Sequence, residues 1–253
     1  MHDSTERFSS RVDNYVKFRP DYPLGVNEIL KSACGLTSSA VIADVGSGTG
    51  IFSKSLLAQG FTVIGVEPNR EMREAGEQML DAVKKFKSLS GRAEATTLPA
   101  NSVDAITSAQ AVHWFDREKT HLEFERILKP GGVLIVIWNN RLSNTTNFLQ
   151  QYESLLKKYG TDYTNVVHRD IGREQLVDLF GNDSFKESSF NHHQQFDYEG
   201  LKGRLLSSSY SPEPGHPKHL SMLEELNLLF NEFNKNNAVV FEYETKVYYG
   251  PMA

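Results

Sequence analysis

A single cysteine, Cys34, occurs in 253 residues. One thiol excludes a disulfide framework and any Cys-rich metal site, and it fits a reducing compartment. Long apolar runs are missing too: nothing approaches the stretch of about 18 apolar residues that reads as a membrane-spanning helix. The opening MHDSTERFSSRVDNY holds no apolar block of signal-peptide type. The expectation is a soluble, cytoplasmic protein with no membrane partner. Positive charge is not in excess. Lys and Arg number 27 against 32 Asp and Glu, a net charge of −5. Without a basic field, affinity built on nucleic-acid phosphates is not expected. His192-His193, His216 and His219 lack carboxylates or cysteines at ligand spacing, so no metal is expected.

What is present is an ordinary globular composition, 39% hydrophobic and 23% charged, suited to one large domain. Strand and helix signals alternate through the first half. Strands are expected at 41–45, 61–66, 86–90, 103–107 and 133–138, with helices at 51–59, from Pro68 to about Phe86, and at 117–128. Strands joined by helices imply right-handed βαβ units and a parallel sheet covered on both faces. After Asn139 the rhythm weakens. Helices are expected at 144–159, 173–180 and 219–234, a polar strand ending near Phe196, and an alternating strand over 239–249. The fold class is therefore α/β, doubly wound and mostly parallel. The domain plan is a core at about 36–140 and 185–253, an N-terminal cap over 1–35 and an insertion or lid over about 141–215.

The stretch VIADVGSGTG, residues 41–50, places three glycines directly after a strand. Gly46, Gly48 and Gly50 permit positive φ and a close approach of ligand to backbone. In open α/β sheets such a turn floors the ligand crevice. The spacing G-x-G-x-G differs from the dinucleotide G-x-G-x-x-G, though the two overlap. Asp44 would repel a pyrophosphate and suits a ligand with a cationic centre. S-adenosylmethionine has one. Glu67 ends the second strand, where a carboxylate either accepts from both ribose hydroxyls of an adenosine or caps the helix begun at Pro68.

DVGSGTG, VEPN with Met72 beyond it, GRAEATTLP, VDAITSAQAVHWFD and LKPGGVLIVIWNN together resemble the successive motifs of class I S-adenosylmethionine-dependent methyltransferases. With YVKFRPDYP, HWFD and FEYETKVYYG, the chain is similar to a narrower group that includes trans-aconitate methyltransferase and related small-molecule methyltransferases. The resemblance implies a seven-stranded Rossmann-like sheet with S-adenosylmethionine as cofactor. It implies that Asp44, Gly46, Ser47 and Gly48 line the methionine and ribose part. Glu67 would hold the ribose, Pro68 and Met72 the adenine wall, and the backbone of Ala93 the adenine edge. Many relatives carry an aspartate where this chain has Arg92, which makes Glu94 either a substitute contact or an exposed loop carboxylate. Gln110 would lie beneath the methionine. Tyr15 and Arg19 would fold over the cofactor, with Arg19 either clamping its carboxylate or fixing the N-terminal helix.

His113 is either a base for the methyl acceptor or a residue bonded to a loop carbonyl. Asn139, Asn140 and Arg141 either meet a polar acceptor or begin a helix. The expected reaction is O-methylation of a carboxylate or hydroxyl on a small molecule, by a monomer or homodimer without nucleic-acid partners. Two alternatives stand beside it. Tyr198 and Lys202 have the Tyr-x-x-x-Lys spacing of an NAD(P)-linked oxidoreductase, and a non-catalytic cofactor-binding protein would share the same glycine turn.

Overall fold

The computed structural model describes residues 11–163 and 171–253. Residues 1–10 of the expected cap and 164–170 of the expected insertion lie outside the described residues. The most buried strand is β1 (Val41–Val45), with Ile42, Ala43 and Val45 fully enclosed. Parallel strands buried on both faces read as continuous apolar runs, as this one does. Strand β1 lies between β2 (Thr62–Val66) and β4 (Val103–Ala109), parallel to both. Strand β3 (Phe86–Leu89) continues the sheet beyond β2, and β5 (Leu128–Arg141) beyond β4. On the far side, β7 (Val239–Pro251) runs antiparallel to β5, and β6 (Lys186–Phe196) antiparallel to β7. The order is β3-β2-β1-β4-β5-β7-β6. The chain thus winds outward from β1 to β3 and returns to β4. Strand order reverses between β1 and β4, and a crevice must open at their carboxyl ends.

Helices cover both faces. On one, α2 (Leu24–Glu28, continued by a π turn at Ile29–Ala33) and α3 (Ile51–Ala58) bury Val26, Leu30, Phe52 and Leu56 against Ile42, Val63 and Ile135. On the other, α5 (Arg117–Ile127) and α7 (Arg173–Phe180) bury Phe124, Ile127, Leu179 and Phe180 against Ile106 and Leu134. Helix α4 (Arg70–Leu80) begins where the Asn69 side chain accepts the Met72 N–H at 2.8 Å, an N-cap of the usual chemistry.

Two sequence expectations need adjustment. Helix α4 stops at Leu80 rather than near Phe86. The intervening turn closes through Phe86 N–H to Val83 O, and Val63 then donates to Lys85 O. Pairing with β2 therefore claims this segment for the sheet. Strand β5 is longer than 133–138, because β7 holds Asn139, Asn140 and Arg141 opposite Thr245, Glu244 and Tyr243. These three residues are strand, not the start of a helix. The polar strand β6 occupies the sheet edge, which explains its sequence: among the described residues one flank has no partner strand, and alternate residues face water.

A third apolar cluster lies at the β6–β7 end of the sheet. It joins α6 (Asn147–Tyr159), α8 (Tyr198–Leu206) and α9 (His219–Phe233) to Val239, Phe241 and Tyr243 of β7. The segment after β5 is thereby seated on the sheet by its own core. The N-terminal α1 (Val12–Phe18) lies against α8, where the Phe18 ring fills the space beside Gly203.

Candidate active site

The crevice begins at the glycine turn. Gly46, Gly48 and Gly50 have φ of +72°, +55° and +79°, the left-handed region that favours glycine. At Gly46 a Cβ would also fall 2.4 Å from the Ala111 Cβ, so this position has no room for a side chain. The turn's amides are already engaged. Gly46 and Ser47 donate to Val66 O at 2.8 and 3.2 Å, Gly50 to Ser47 O at 2.9 Å, and Gly48 to Glu67 Oε2 at 2.9 Å. A phosphate cradle needs such N–H groups free, so this turn is ill suited to a pyrophosphate.

Two carboxylates flank it. Asp44 is 1% exposed and accepts from Ser53 Oγ at 2.6 Å and Thr107 Oγ1 at 3.0 Å. Burial pushes its carboxyl up to about 6, against the lowering effect of those hydroxyls. Glu67 is 9% exposed, and its second oxygen accepts from Asn69 N–H at 2.8 Å. Burial raises it as well, opposed by the Asn69 and Gly48 amides. A ligand cation beside Asp44 favours the ionised form. Cofactor affinity is therefore expected to climb by about tenfold per unit as pH rises toward 6, then level off. Calorimetric titrations at pH 5, 6 and 7.5 check this, and a flat profile would remove Asp44 from the cation's surroundings.

Beyond the turn, two adjoining cavities of about 90 and 340 Å³ share Arg19, Gly46, Gly48, Gln110, Arg141 and Arg204. The smaller reaches inward to Asp44 and Ser47. The larger opens past Glu67, Pro68 and Met72 to His113, Glu153 and Tyr163. Gln110 leaves β4 with φ +61° and donates from Nε2 to Asn139 O at 3.0 Å. Strain of this kind persists where the surroundings fix it, often at functional sites. His113 follows on a short turn, its ring 5.2 Å from Trp138 at 86° and 4.5 Å from Trp114.

Tyr15 and Arg19 descend from the N-terminal segment. Arg19 stacks on the Tyr15 ring at 4.7 Å and donates to Ser207 O at 3.0 Å. Arg11 contributes further tethers, donating to Leu206 O, Ser208 O and Ser211 O at 3.2, 2.5 and 2.8 Å. The N-terminal segment and the α8–α9 connection therefore roof the crevice together.

Of the residues singled out from sequence, Tyr15, Arg19, Asp44, Gly46, Ser47, Gly48, Glu67, Pro68, Met72, Gln110 and His113 all line this crevice. Ala93 and Glu94 are not brought to it. Ala93 is buried in the core, and Glu94 Oε1 accepts the Asp116 N–H at 2.8 Å, just ahead of α5. Tyr198 and Lys202 lie apart as well. The Tyr198 hydroxyl bonds to Leu223 O at 3.4 Å, and Lys202 stands 3.9 Å from Glu199. Sequence reasoning missed Arg204, Tyr243, Glu153 and Tyr163. Arg141 Nη2 pairs with Glu153 at 2.6 Å, and Tyr163 donates to the same carboxylate oxygen at 2.6 Å. Arg204 Nε reaches the Tyr243 hydroxyl at 3.4 Å. For Arg204 the available signal was an arginine among the leucines of LKGRLL.

A seven-stranded sheet of this order, a glycine turn closed to phosphate and an acidic pair at the β1 and β2 ends define a class I S-adenosylmethionine-dependent methyltransferase. The family model described as methyltransferase domain matches residues 43–136, which hold the turn, both carboxylates and His113. The chain belongs to the methyltransferase family, and S-adenosylmethionine is its cofactor. An uncharacterized methyltransferase of Schizosaccharomyces pombe is 30% identical over 206 residues, 79% of this chain and 77% of that protein. An uncharacterized methyltransferase-like protein of the same yeast is 30% identical over 167 residues, spanning 63% of this chain and 61% of the relative. The fold matches a solved structure, a proposed type II methyltransferase from Anaeromyxobacter dehalogenans, with TM-score 0.63, 20% identity, and coverage of 92% of this chain and 98% of that one. Among the described residues no helix is long and apolar enough to cross a membrane.

Proposed function

We propose that this methyltransferase acts on a small molecule and methylates an oxygen, of a carboxylate or of a hydroxyl, with His113 facing the acceptor. The observation that carries the reading is the shape of the crevice. The larger cavity, about 340 Å³ in all, runs from the nucleoside side at Glu67, Pro68 and Met72 into a recess walled by β5, α6 and α8, under a roof made by the N-terminal segment. Ligand pockets for small molecules run at about 300–1,000 Å³. A polymer would need an open groove instead.

The cofactor supplies an electrophilic methyl on a sulfonium. With it bound, methyl transfer would break the S–C bond as the C–O bond forms and release S-adenosylhomocysteine. Charge is neutralised, so the protein's task is to align the acceptor and exclude water. Asp44 faces the positive charge at the cofactor's amino-acid end, its ammonium, and Glu67 receives the ribose with the lone pairs that Gly48 and Asn69 leave open. The Tyr15 and Arg19 roof limits water. On the acceptor side, Arg141 Nη1 is buried and meets no hydrogen-bond partner among the described residues, so it is available to a polar acceptor. A carboxylate acceptor needs no base. A hydroxyl does, and its proton would pass to His113.

Two measurements test this. Organic acids and phenols are screened with cofactor labelled in the methyl group, and label should enter an ester or ether. With the acceptor so found, His113→Asn is expected to lower turnover by roughly 10²-fold for a hydroxyl acceptor, with cofactor affinity unchanged. Full turnover in that variant would exclude His113 as the base.

A further inference from the structure

Three guanidiniums face the crevice, and their charges are not balanced alike. Arg141 is paired with Glu153 at 2.6 Å. Arg19 and Arg204 meet no carboxylate among the described residues. Arg204 is only 6% exposed, and its side chain finds just two hydroxyls, Tyr243 at 3.4 Å and Ser208 at 3.2 Å. Arg19 donates to one carbonyl, and its Nε is buried without a partner among the described residues. Burial and the neighbouring Arg204 charge both push Arg19 down. Buried charges are ordinarily paired. Neither guanidinium pairs with the Asp44 carboxylate that lines the same small cavity, and two like charges left so mark a place where an anionic ligand group belongs.

Position decides which anion. Both guanidiniums line the inner cavity of about 90 Å³, which also holds Asp44 and the Gly46–Gly48 turn. Asp44 calls for a cation there. An α-amino acid carries its ammonium and its carboxylate on one carbon, so a ligand whose cation meets Asp44 must place its anion close by, within the same cavity. We infer that Arg204, together with Arg19, holds the carboxylate of the cofactor's methionyl moiety. This rests on the cofactor reading and adds to it a binding residue from α8, remote in sequence from the glycine turn. The segment after β5 then contributes directly to the cofactor bed as well as to the acceptor chamber. Planar guanidinium forks suit a carboxylate, which can accept from two at once.

Two ligands separate the carboxylate from the rest of the cofactor. S-adenosylhomocysteine carries the amino-acid moiety, and 5′-methylthioadenosine lacks it but keeps the adenosine and the sulfur. In Arg204→Gln, calorimetry should show S-adenosylhomocysteine weakened by roughly 10- to 100-fold, the size of a lost charge-assisted hydrogen bond. Binding of 5′-methylthioadenosine should stay within about twofold. Arg204→Lys, which keeps the charge and loses the fork, should recover part of the difference. If the glutamine variant does not fold, the lysine variant carries the same comparison, with S-adenosylhomocysteine several-fold weaker and 5′-methylthioadenosine unchanged. Equal weakening of both ligands, or no change in either, would overturn the assignment and leave the cofactor reading standing. Failure of the unaltered protein to bind either ligand would overturn both.

Discussion

Replacing Asp44 with asparagine should weaken S-adenosylmethionine binding by about 10²-fold or more while making the empty protein more stable at neutral pH. The two effects share one cause. Asp44 is nearly inaccessible, and its hydrogen bonds come from the Ser53 and Thr107 hydroxyls and the Ser53 backbone, with no cation beside it among the described residues. Its carboxyl titrates near 6, above the ordinary 3.8, because burial opposes the charge. A carboxyl raised in the folded state holds its proton more tightly than the unfolded chain does. The stability it contributes is fully present below the unfolded value and is lost as pH rises through about 6. Asparagine abolishes that loss, so the variant's advantage in melting temperature should appear at pH 8 and vanish at pH 4. A cofactor cation placed as proposed would, in contrast, lose the buried counter-charge of Asp44, and an uncompensated buried charge costs several kcal/mol. Calorimetry gives the affinity and thermal melting at the two pH values gives the stability. Unchanged affinity would separate Asp44 from the cation, and a variant less stable at pH 8 would contradict the account of its burial.

Phe241→Ala should cost about 3–5 kcal/mol, the usual penalty for emptying a large aromatic site in a packed core. Phe241 is fully buried on β7, with the rings of Tyr152, Phe148 and Phe196 centred 4.8, 5.5 and 5.5 Å away. These partners come from α6 and the end of β6, so one ring fastens the segment after β5 to the sheet. Its loss should reach the acceptor chamber too. The Arg141 guanidinium lies over the Tyr152 ring at 5.1 Å and within 6.0 Å of Phe241. Urea unfolding measures the stability change, and a loss under about 1 kcal/mol would mean that the site collapses around the gap. In kinetics, KM for the acceptor should suffer more than affinity for the cofactor.

The first half of the fold was readable because its physics is local. Parallel strands enclosed on both faces must be apolar throughout, and Val41–Val45 and Val133–Trp138 show it directly. The glycine turn was readable because positive φ at alternate positions leaves few other residues possible. The acidic pair followed from where those strands end. The end of α4 was misjudged because the sequence up to Phe86 remains helix-compatible, and only the register with Val63 decides it. The second half hid for a different reason. Arg204, Glu153 and Tyr163 reach the crevice from helices or loops whose local pattern says nothing about which strand end they overhang. Tyr243 belonged to a strand correctly expected from its alternation, yet alternation does not say which of two faces meets the crevice. Its face was fixed by pairing with Arg141.

Glu67 ties the first turn to the second: one oxygen holds Gly48, the other Asn69. The two loops proposed to receive opposite ends of the cofactor are consequently joined through one carboxylate. A fragment that settles only on the nucleoside side is expected to stiffen the bed awaiting the amino-acid side. Adenosine and methionine, offered as separate molecules, would then assist each other's binding without touching.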